Sequence, residues 1–374
     1  MALSEKGAKV LQIGNYPPPM CGWAIQTVLV TEELRRRGEV CEVLKINENR
    51  QLKGLGYIDV QGGADYLYKV VRYALAGYRI NVHVNGQSKK GYFLALAAML
   101  VARLTFRPAL LTFHGGLSQQ YFPRHDSAHL YWAFKLLFLL CSGIACDSVE
   151  IKRAIEEYGV NPDRVSSIAT FSAQYLDFKS ANPSPEVEEF LGEHNPVFFS
   201  YVSFRPEYRL EILRDGMSRF RRRYPKAGFI WLGFPDKEYP LAEEYVRGWP
   251  VSERESLLLL GNLPHEDFLT LMLRCTACLR TPACDGVSAS VKEALGLGIP
   301  VVASENGRRP NGVITYEECD PEDMCAKLTF AVENRDNIRN KIQVEPDEDN
   351  IGLMADWLSG ASRVRINSEV AGVH

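Results

Sequence analysis

Two carboxylates and a serine lie around the predicted start of a helix in the last third of the chain. The run Ala277–Thr281 predicts a strand and Ser288–Leu297 a helix, so Asp285 precedes the helix and Glu293 lies about one and a half turns inside it. Free N–H groups at a helix start attract an anion such as a diphosphate. Carboxylates accept hydrogen bonds from vicinal hydroxyls, so this spacing suits a sugar and a ribose. The alternative is an acidic loop residue and a solvated helical glutamate.

A second group of candidate residues lies in the N-terminal half. His114 follows the apolar run Ala109–Phe113 and precedes two glycines, where it could donate a hydrogen bond or give modest acid catalysis. Gly22 would let the backbone approach a ligand at a helix start. A structural histidine and a plain turn glycine are the alternatives. Three nearby side chains could contact a ligand or could equally be packed in the core: Tyr16, Trp23 and Gln26.

The elements that must position these residues alternate between short apolar runs and longer helical patterns. The alternation extends over about residues 8–158 and starts again at about residue 196. Strands alternating with helices indicate βαβ units, parallel sheets and an α/β fold. In such sheets functional loops follow the carboxyl ends of the strands.

The chain length of 374 residues and one turn-rich segment predict two domains. We expect an N-terminal Rossmann-like domain over residues 1–175, a linker over 176–195 and a C-terminal Rossmann-like domain over 196–345. Residues 346–374 are expected to form a helix and tail that pack back on the first domain.

The segment Ala277–Ser304 resembles the signature of the large retaining glycosyltransferase family 4. That signature has a proline-ended strand, an E-x7-E pair and then EA-x-x-x-G-x-PVVAS. Asp285 and Glu293 occupy the two acidic positions, with an aspartate in place of the first glutamate. Weaker similarities follow the family order at Gly14–Gly22, Thr112–Gly115, Ala145–Val165 and Leu260–Phe268, so the resemblance spans about residues 8–330.

The resemblance implies the GT-B fold, in which two doubly wound parallel-sheet domains face each other across a cleft. It implies that the C-terminal domain binds a nucleotide-sugar donor and the N-terminal domain an acceptor. The candidates for contacts with the acceptor are Tyr16, Trp23 and Gln26. Glu293 would then bind the ribose and Asp285 the sugar, while His114 approaches the transferred sugar. The remaining donor contacts would be made at Gly22, Gly286, Val287 and Ser288.

The family also implies how the diphosphate is neutralised, through an Arg and a Lys in the first strand-to-helix loop of the C-terminal domain. In this chain the loop Ser203–Arg209 offers Arg205 and Arg209 and no lysine, with the usual spacing changed by one residue. Arginine can bind phosphate with two hydrogen bonds. The alternative is a solvated helix start in which Arg209 pairs with Glu207 or Glu211.

Nothing in the sequence calls for a metal or a bound cofactor. His125 and His129 have a spacing that can bind zinc on a helix, but two surface histidines are the favoured interpretation. The pair Cys275 and Cys278 is expected to be packed thiols, since the nine cysteines are scattered through apolar runs. The first turn lacks the GxGxxG of a dinucleotide-binding oxidoreductase.

Composition limits the partners and the location. The chain is 46% hydrophobic and 24% charged with a net charge of −3, which excludes a disordered chain and a general affinity for nucleic acid. No leader or membrane span is predicted, so we expect a cytoplasmic protein. Basic clusters at Arg35–Arg37, Lys89–Lys90 and Arg103–Arg107 would allow peripheral membrane contact, although a solvated basic face is the alternative.

The sequence therefore predicts a metal-independent, retaining glycosyltransferase that moves a hexosyl group from a nucleoside-diphosphate sugar to a hydroxyl acceptor, which could be a glycan, a lipid-linked molecule or a small molecule. Two alternatives keep the same fold. One is a nucleotide-sugar epimerase or a phosphorylase. The other is a non-catalytic module that only binds a sugar nucleotide.

Overall fold

The computed structural model describes residues 7–18, 21–117, 119–283, 288–342 and 349–361. These residues divide into two compact units. The first comprises the N-terminal part of the chain up to Gln174 together with the last helix, and the second begins at Tyr175.

Strands and helices alternate through the first unit. In chain order they are β1 (Lys9–Gly14), α1 (Gly22–Arg36), β2 (Val40–Lys45), α2 (Gly63–Leu75), β3 (Arg79–Val84), α3 (Lys89–Leu104), β4 (Ala109–Phe113), α4 (Ala128–Leu140), β5 (Gly143–Cys146), α5 (Val149–Glu156) and β6 (Val165–Ser167).

The second unit repeats this alternation. Its elements are α6 (Pro185–Glu193), β7 (Val197–Tyr201), α7 (Leu210–Arg223), β8 (Gly228–Leu232), α8 (Tyr239–Arg247), α9 (Val251–Glu255), β9 (Leu257–Gly261), α10 (His265–Arg274), β10 (Ala277–Arg280), α11 (Ala289–Gly296), β11 (Val301–Ser304), β12 (Val313–Tyr316), α12 (Pro321–Glu333) and α13 (Arg335–Lys341). The last helix, α14 (Asn350–Ser359), belongs to the first unit.

Each unit contains a six-stranded sheet in which all paired strands are parallel. The strand orders are β2-β1-β3-β4-β5-β6 and β12-β11-β10-β7-β8-β9. Strands of this kind are covered on both faces, which explains why β4 and β8 are buried along their whole length. In the second unit Phe198 and Phe199 of β7 point into separate apolar cores on opposite faces of the sheet.

The strand orders place a topological switch point in each sheet. Chain connections leave in opposite directions from β1 and its neighbour β3, and likewise from β7 and its neighbour β10. Loops separate at such a point and leave a crevice at the carboxyl ends of the strands, where ligands of open α/β sheets bind. The loops that follow β1, β7 and β10 carry most of the predicted site residues.

Local signals explain several helix boundaries. Ser88 and Ser148 cap α3 and α5, since their hydroxyls accept hydrogen bonds from Gly91 N and Ile151 N. The helix α1 ends before Gly38, which has a φ of 84° that favours glycine.

The structure also contains elements that the sequence patterns did not predict. The segment predicted as a linker includes α6, which is capped by Ser184 and buries Val187 and Phe190 in the second unit. The edge strands β6 and β12 and the helices α8, α9 and α13 were likewise absent from the predicted alternation. Residues 346–348 and 362–374 of the predicted tail lie outside the described residues, whereas α14 packs on α1.

Within the described ranges, no helix combines the length and the apolar character that crossing a bilayer requires. The cysteines described in these ranges are all free thiols. Burial raises the pKa of the Cys278 thiol to about 12, so Cys275-x-x-Cys278 consists of packed, protonated thiols.

Gly233, at the end of β8, provides a test of this packing. Its φ of 92° disfavours any side chain, and a Cβ atom there would overlap the ring of Tyr201. We expect Gly233→Ala to lower the free energy of unfolding of the second unit by about 2–4 kcal/mol, measured by urea unfolding. The matched control is Gly248→Ala, because Gly248 has an ordinary helical φ and no atom near its Cβ position. Equal losses in both variants would contradict the packing described here.

Candidate functional site

At the switch point of the first sheet, the loop after β1 faces the ends of β3 and β4. Gly14 ends β1 against the ring of His83, and a Cβ atom at Gly14 would lie 2.9 Å from His83 Cγ. The helix α1 begins at Gly22, and the ring of Trp23 stacks on the ring of His114 with centroids 4.6 Å apart. The structure thus brings together three of the predicted residues, Gly22, Trp23 and His114, in one unit.

His114 is 9% exposed and makes one hydrogen bond through its ring, with Nε2 lying 3.0 Å from His83 Nδ1. Its other ring nitrogen, Nδ1, is buried and has no hydrogen-bond partner among the described residues. Burial lowers the pKa of His83 to about 4, and burial together with the nearby His83 lowers the pKa of His114 well below 6.5. Both rings are therefore neutral at physiological pH.

Two amides hold the far side of the His83 ring. Gln12 donates through Nε2 to Thr31 Oγ1 at 2.8 Å, so its Oε1 faces His83 Nε2 at 3.2 Å. Asn81 accepts from Thr112 Oγ1 at 3.1 Å, so its Nδ2 also faces His83 Nε2 at 3.2 Å. Because Nε2 meets one acceptor and one donor, either tautomer of His83 keeps one hydrogen bond.

Asp147, the residue after β5, completes this cluster. Its Oδ1 lies 3.8 Å from His114 Nδ1 and accepts a hydrogen bond from Thr170 Oγ1. Burial raises the pKa of Asp147 to about 7. Asp147 is also among the residues that line a cavity of about 440 Å³ in the first unit, together with Ser167 and Asn350.

The charge of Asp147 and the tautomer of His114 are coupled. If His83 donates to His114 Nε2, the proton of neutral His114 lies on Nδ1 and faces an ionised Asp147 favourably. If His83 accepts instead, a lone pair on Nδ1 faces Asp147, which then favours the protonated carboxyl. The cluster can therefore hold or accept one proton near neutral pH.

The predicted acceptor residues Tyr16 and Gln26 occupy different environments. Tyr16 is partly buried beside the ring of Tyr57, and its backbone N–H donates to Asn47 Oδ1 at 3.2 Å. Gln26 is 1% exposed, and its amide has no hydrogen-bond partner among the described residues. Its burial in α1 favours the packing alternative over contact with an acceptor.

In the second unit, Glu293 of α11 is a buried acidic residue at the switch point. It is 2% exposed, and its Oε1 lies 2.8 Å from Nε2 of His265, the first residue of α10. The alternative of a solvated helical glutamate is therefore wrong for this residue. A buried carboxylate is costly unless it is paired, and His265 provides the pairing.

Ser288 occupies the N-cap position of α11, at the predicted start of this helix. Its hydroxyl contacts the Ser290 hydroxyl at 3.0 Å, and it makes no side-chain hydrogen bond to the helix backbone. The other residues predicted for this loop, Asp285, Gly286 and Val287, lie outside the described residues.

The two predicted phosphate-binding arginines lie after β7, the strand next to β10. Arg205 is largely exposed, with Glu207 at 4.0 Å. Arg209 precedes α7 with a left-handed φ of 47° and pairs with Glu318 at 3.3 Å, so neither Glu207 nor Glu211 is its hydrogen-bonding partner. Thr281 Oγ1 donates to the Tyr208 carbonyl at 2.6 Å and ties this arginine loop to the end of β10.

Several residues of these clusters were not predicted as site residues. His83 lies within β3, where the sequence gives no sign that distinguishes it from a core residue. Asp147 directly follows the buried strand β5, and that position could have identified it. Arg280 is buried at the end of β10, with its guanidinium carbon 5.2 Å from the Tyr208 ring centroid.

No metal centre is found in the described ranges, which contain no group of three or more His, Cys, Asp or Glu placed to hold an ion. His125 precedes α4 and pairs with Glu157 Oε2 at 3.2 Å, while His129 contacts the Ser127 hydroxyl. The two histidines therefore have separate partners among the described residues.

Comparisons with known proteins bear on the fold. No family model matches the chain, and no curated protein sequence matches it. Several solved structures do match. Sucrose-phosphate synthase from Thermosynechococcus elongatus matches at 14% identity, and the match covers 95% of this chain and 100% of that one with a TM-score of 0.65. Anabaena Alr3699/HepE in complex with UDP-glucose matches at 17% identity. This match covers 93% of this chain and 94% of that one, with a TM-score of 0.60.

A UDP-N-acetylglucosamine 2-epimerase matches at 13% identity over 92% of this chain and 93% of that one, with a TM-score of 0.63. This chain has two parallel six-stranded sheets flanked by helices, and the matches extend over both of them. The chain has the GT-B fold. This fold supports both sugar transfer and epimerisation, so the reaction must be argued from the site.

The raised pKa of Asp147 predicts a pH-dependent cost to folding. The unfolded carboxyl has an ordinary pKa near 4, so the cost of ionising Asp147 in the folded protein is absent below about pH 4 and fully present above about pH 7. We expect Asp147→Asn to raise the free energy of unfolding by about 2 kcal/mol above pH 7 and to lose this advantage near pH 4. Urea unfolding at a series of pH values measures the difference.

Asp126→Asn is the control for this series, because Arg124 lowers the pKa of the exposed Asp126 carboxyl. We expect no gain in stability at high pH from that variant. A difference between wild type and Asp147→Asn that does not change with pH would contradict the raised pKa.

Proposed function

We propose that this protein is a retaining glycosyltransferase that moves a hexosyl group from a nucleoside-diphosphate sugar to a hydroxyl acceptor without a metal ion. The observation that carries the proposal is the buried Glu293, held by His265 at the switch point of the second sheet. A buried carboxylate at this edge is suited to accept hydrogen bonds from a ribose, because its position is fixed before the ligand arrives.

The donor is assigned to the second unit. Glu293 would accept from the ribose hydroxyls, Asp285 from the sugar, and the backbone at Gly286, Val287 and Ser288 would contact the sugar or phosphates. Gly22, at the start of α1 in the first unit, would let the backbone approach a ligand there. The complex of the similar HepE structure with UDP-glucose supports a nucleotide sugar as the donor class.

Arg205 and Arg209 are assigned to the diphosphate. Both arginine side chains are at least one-third exposed, and their ion pairs with glutamates are long. Exposed ion pairs of this kind contribute about 0–1 kcal/mol, so exchanging a glutamate for a phosphate costs little. Two arginines would then carry the leaving-group charge that a metal ion carries elsewhere.

His114 is assigned to a hydroxyl of the bound sugar, and Trp23 and Tyr16 to the acceptor. In the reaction the bond between the anomeric carbon and the diphosphate oxygen breaks, and a bond from the acceptor oxygen to that carbon forms on the same face. The proton of the acceptor passes to the departing phosphate oxygen. Anomeric proton couplings in the NMR spectrum of the product test retention, since an inverted configuration would contradict it.

Epimerisation is the second candidate, because a 2-epimerase is among the similar structures and the His114–Asp147 cluster can hold a proton near neutral pH. Epimerisation at a carbon that carries hydrogen removes and returns a proton, so in D₂O it leaves deuterium on that carbon. Sugar transfer requires an acceptor and leaves no deuterium on the sugar. A module that only binds a sugar nucleotide would give neither a transfer product nor a deuterated sugar.

A reducing, cytoplasmic location belongs to this proposal. Its support is that the described cysteines are all free thiols, most of them buried in the two units.

The role of Glu293 predicts a loss of ribose recognition. We expect wild-type protein to bind its preferred nucleotide about tenfold more tightly than the 2′,3′-dideoxy form, and Glu293→Gln to bind both forms equally weakly. Isothermal titration calorimetry measures the four affinities. The control is Glu189→Gln on the exposed side of α6, which should keep the tenfold preference. Retained preference in Glu293→Gln would remove this residue from the donor site.

The arginine loop predicts a loss of turnover. We expect Arg205→Gln combined with Arg209→Gln to lower the transfer rate at saturating donor by about 100-fold or more, because leaving-group charge is then unbalanced. Arg222→Gln, at the exposed far end of α7, is the matched control. A double variant within about twofold of wild type would contradict the assignment.

A further inference from the structure

An apolar outer surface covers two neighbouring helices of the first unit. The helices α3 and α4 are joined by a hydrogen bond from the Tyr92 hydroxyl to the Ala133 carbonyl at 2.9 Å. Both bury one side in the core, yet both also expose large apolar side chains on a single outward stripe. We call these residues the α3–α4 face: Phe93, Leu100, Leu104, Trp132, Leu136 and Leu139.

Two more exposed apolar residues adjoin the ends of these helices. Phe106, two residues beyond α3, is 93% exposed and has a positive φ of 57°, and Leu75 at the end of α2 is 68% exposed. An exposed helix face normally carries polar residues. Large apolar side chains grouped in this way are characteristic of an interaction surface.

The charge around this face is positive, although the whole chain has a net charge of −3. The sequence has no aspartate or glutamate from residue 66 to residue 125. Lys89 and Lys90 begin α3, and neither they nor Lys135 of α4 form an ion pair with any described residue. Lys135 lies over the Trp132 ring, with its Nζ 5.1 Å from the centroid, so its charge sits beside the apolar stripe.

Arginine contacts fix the helices as one layer. Arg103 of α3 donates to the Leu140 carbonyl at the end of α4 at 2.6 Å, and Arg107 donates to the Ala74 carbonyl of α2 at 3.1 Å. The Arg103 bond satisfies the Leu140 carbonyl at the end of α4, and the Arg107 bond gives a second donor to the Ala74 carbonyl, which also accepts from Gly77 N. The basic cluster of α1 differs, because Arg36 and Arg37 pair with Glu33.

We propose that the α3–α4 face binds the surface of an anionic lipid bilayer. The apolar stripes would enter the boundary between headgroups and acyl chains, while Lys89, Lys90 and Lys135 contact the lipid phosphates. A symmetric dimer through this face would bring two copies of these lysines into one interface, and the repulsion between like charges disfavours it. The proposal is independent of the transfer reaction.

Vesicle sedimentation with the full-length protein tests the charge component. We expect binding to phosphatidylcholine vesicles that contain about one-third phosphatidylglycerol, and little binding to pure phosphatidylcholine. Lys89→Gln, Lys90→Gln and Lys135→Gln together should lower the partition coefficient about tenfold or more, as should about 0.5 M salt. The control triple carries the same charge change at exposed lysines of the second unit: Lys179→Gln, Lys226→Gln and Lys341→Gln.

A second variant set tests the apolar component. It replaces four exposed side chains of the face and its edge: Phe93→Gln, Leu104→Gln, Phe106→Asn and Trp132→Gln. The control set changes exposed apolar residues elsewhere: Leu52→Gln, Leu55→Gln, Val251→Gln and Phe330→Gln. We expect the face variants to lose vesicle binding and to keep the wild-type circular dichroism and melting temperature, while the control set binds normally.

Three results would overturn the proposal. The first is no binding of wild-type protein to the anionic vesicles. The second is an equal loss of binding in the face and control variants. The third is a concentration-dependent dimer, seen by sedimentation velocity without lipid, that the face variants abolish, because the face would then be an interface between copies of the chain.

Discussion

The parallel direction of the strands is the constraint on which the candidate sites depend. Each parallel strand must be followed by a return connection, so the carboxyl ends of all six strands in a sheet lie along one edge. The order of strands then decides which loops separate there. In the first sheet these loops bring Trp23 and His114 together, and in the second they bring the arginine loop beside the end of β10.

Burial gives these edge residues their chemical character. Glu293 and His265 form a hydrogen bond in a place from which water is largely excluded. A hydrogen bond with His83 likewise orients the buried ring of His114. Groups that are fixed in advance lose little conformational freedom when a ligand binds, so more of the energy of each hydrogen bond contributes to binding. The Asp147 carboxyl, partly shielded beside His114, is the one acid described here whose pKa burial raises to near neutral pH.

Much of the fold could be predicted from the sequence, because buried parallel strands are short, continuous apolar runs. The apolar run Ala109–Phe113 has the bounds of the strand β4 in the structure, and Glu293 was placed on the correct helix. The short edge strands β6 and β12 carry too few apolar residues for such a signal. The helix α6 was missed because Ser184 and Pro185, its first residues, are equally typical of a turn-rich linker. The cluster of His83, His114 and Asp147 depends on partners from four separate strands and loops, and no local pattern in the sequence reveals such contacts.

The most direct test of a nucleotide-sugar site is the melting temperature of the wild-type protein with a panel of nucleoside-diphosphate sugars, the matching monophosphates and NAD. Binding to the folded state stabilises it by RT ln(1 + [L]/Kd), so a ligand at about 100 times its Kd adds about 2.7 kcal/mol. We predict a concentration-dependent rise with at least one nucleoside-diphosphate sugar and a smaller rise with its monophosphate. No rise with any nucleotide sugar, or an equal rise with NAD, would contradict the site described here.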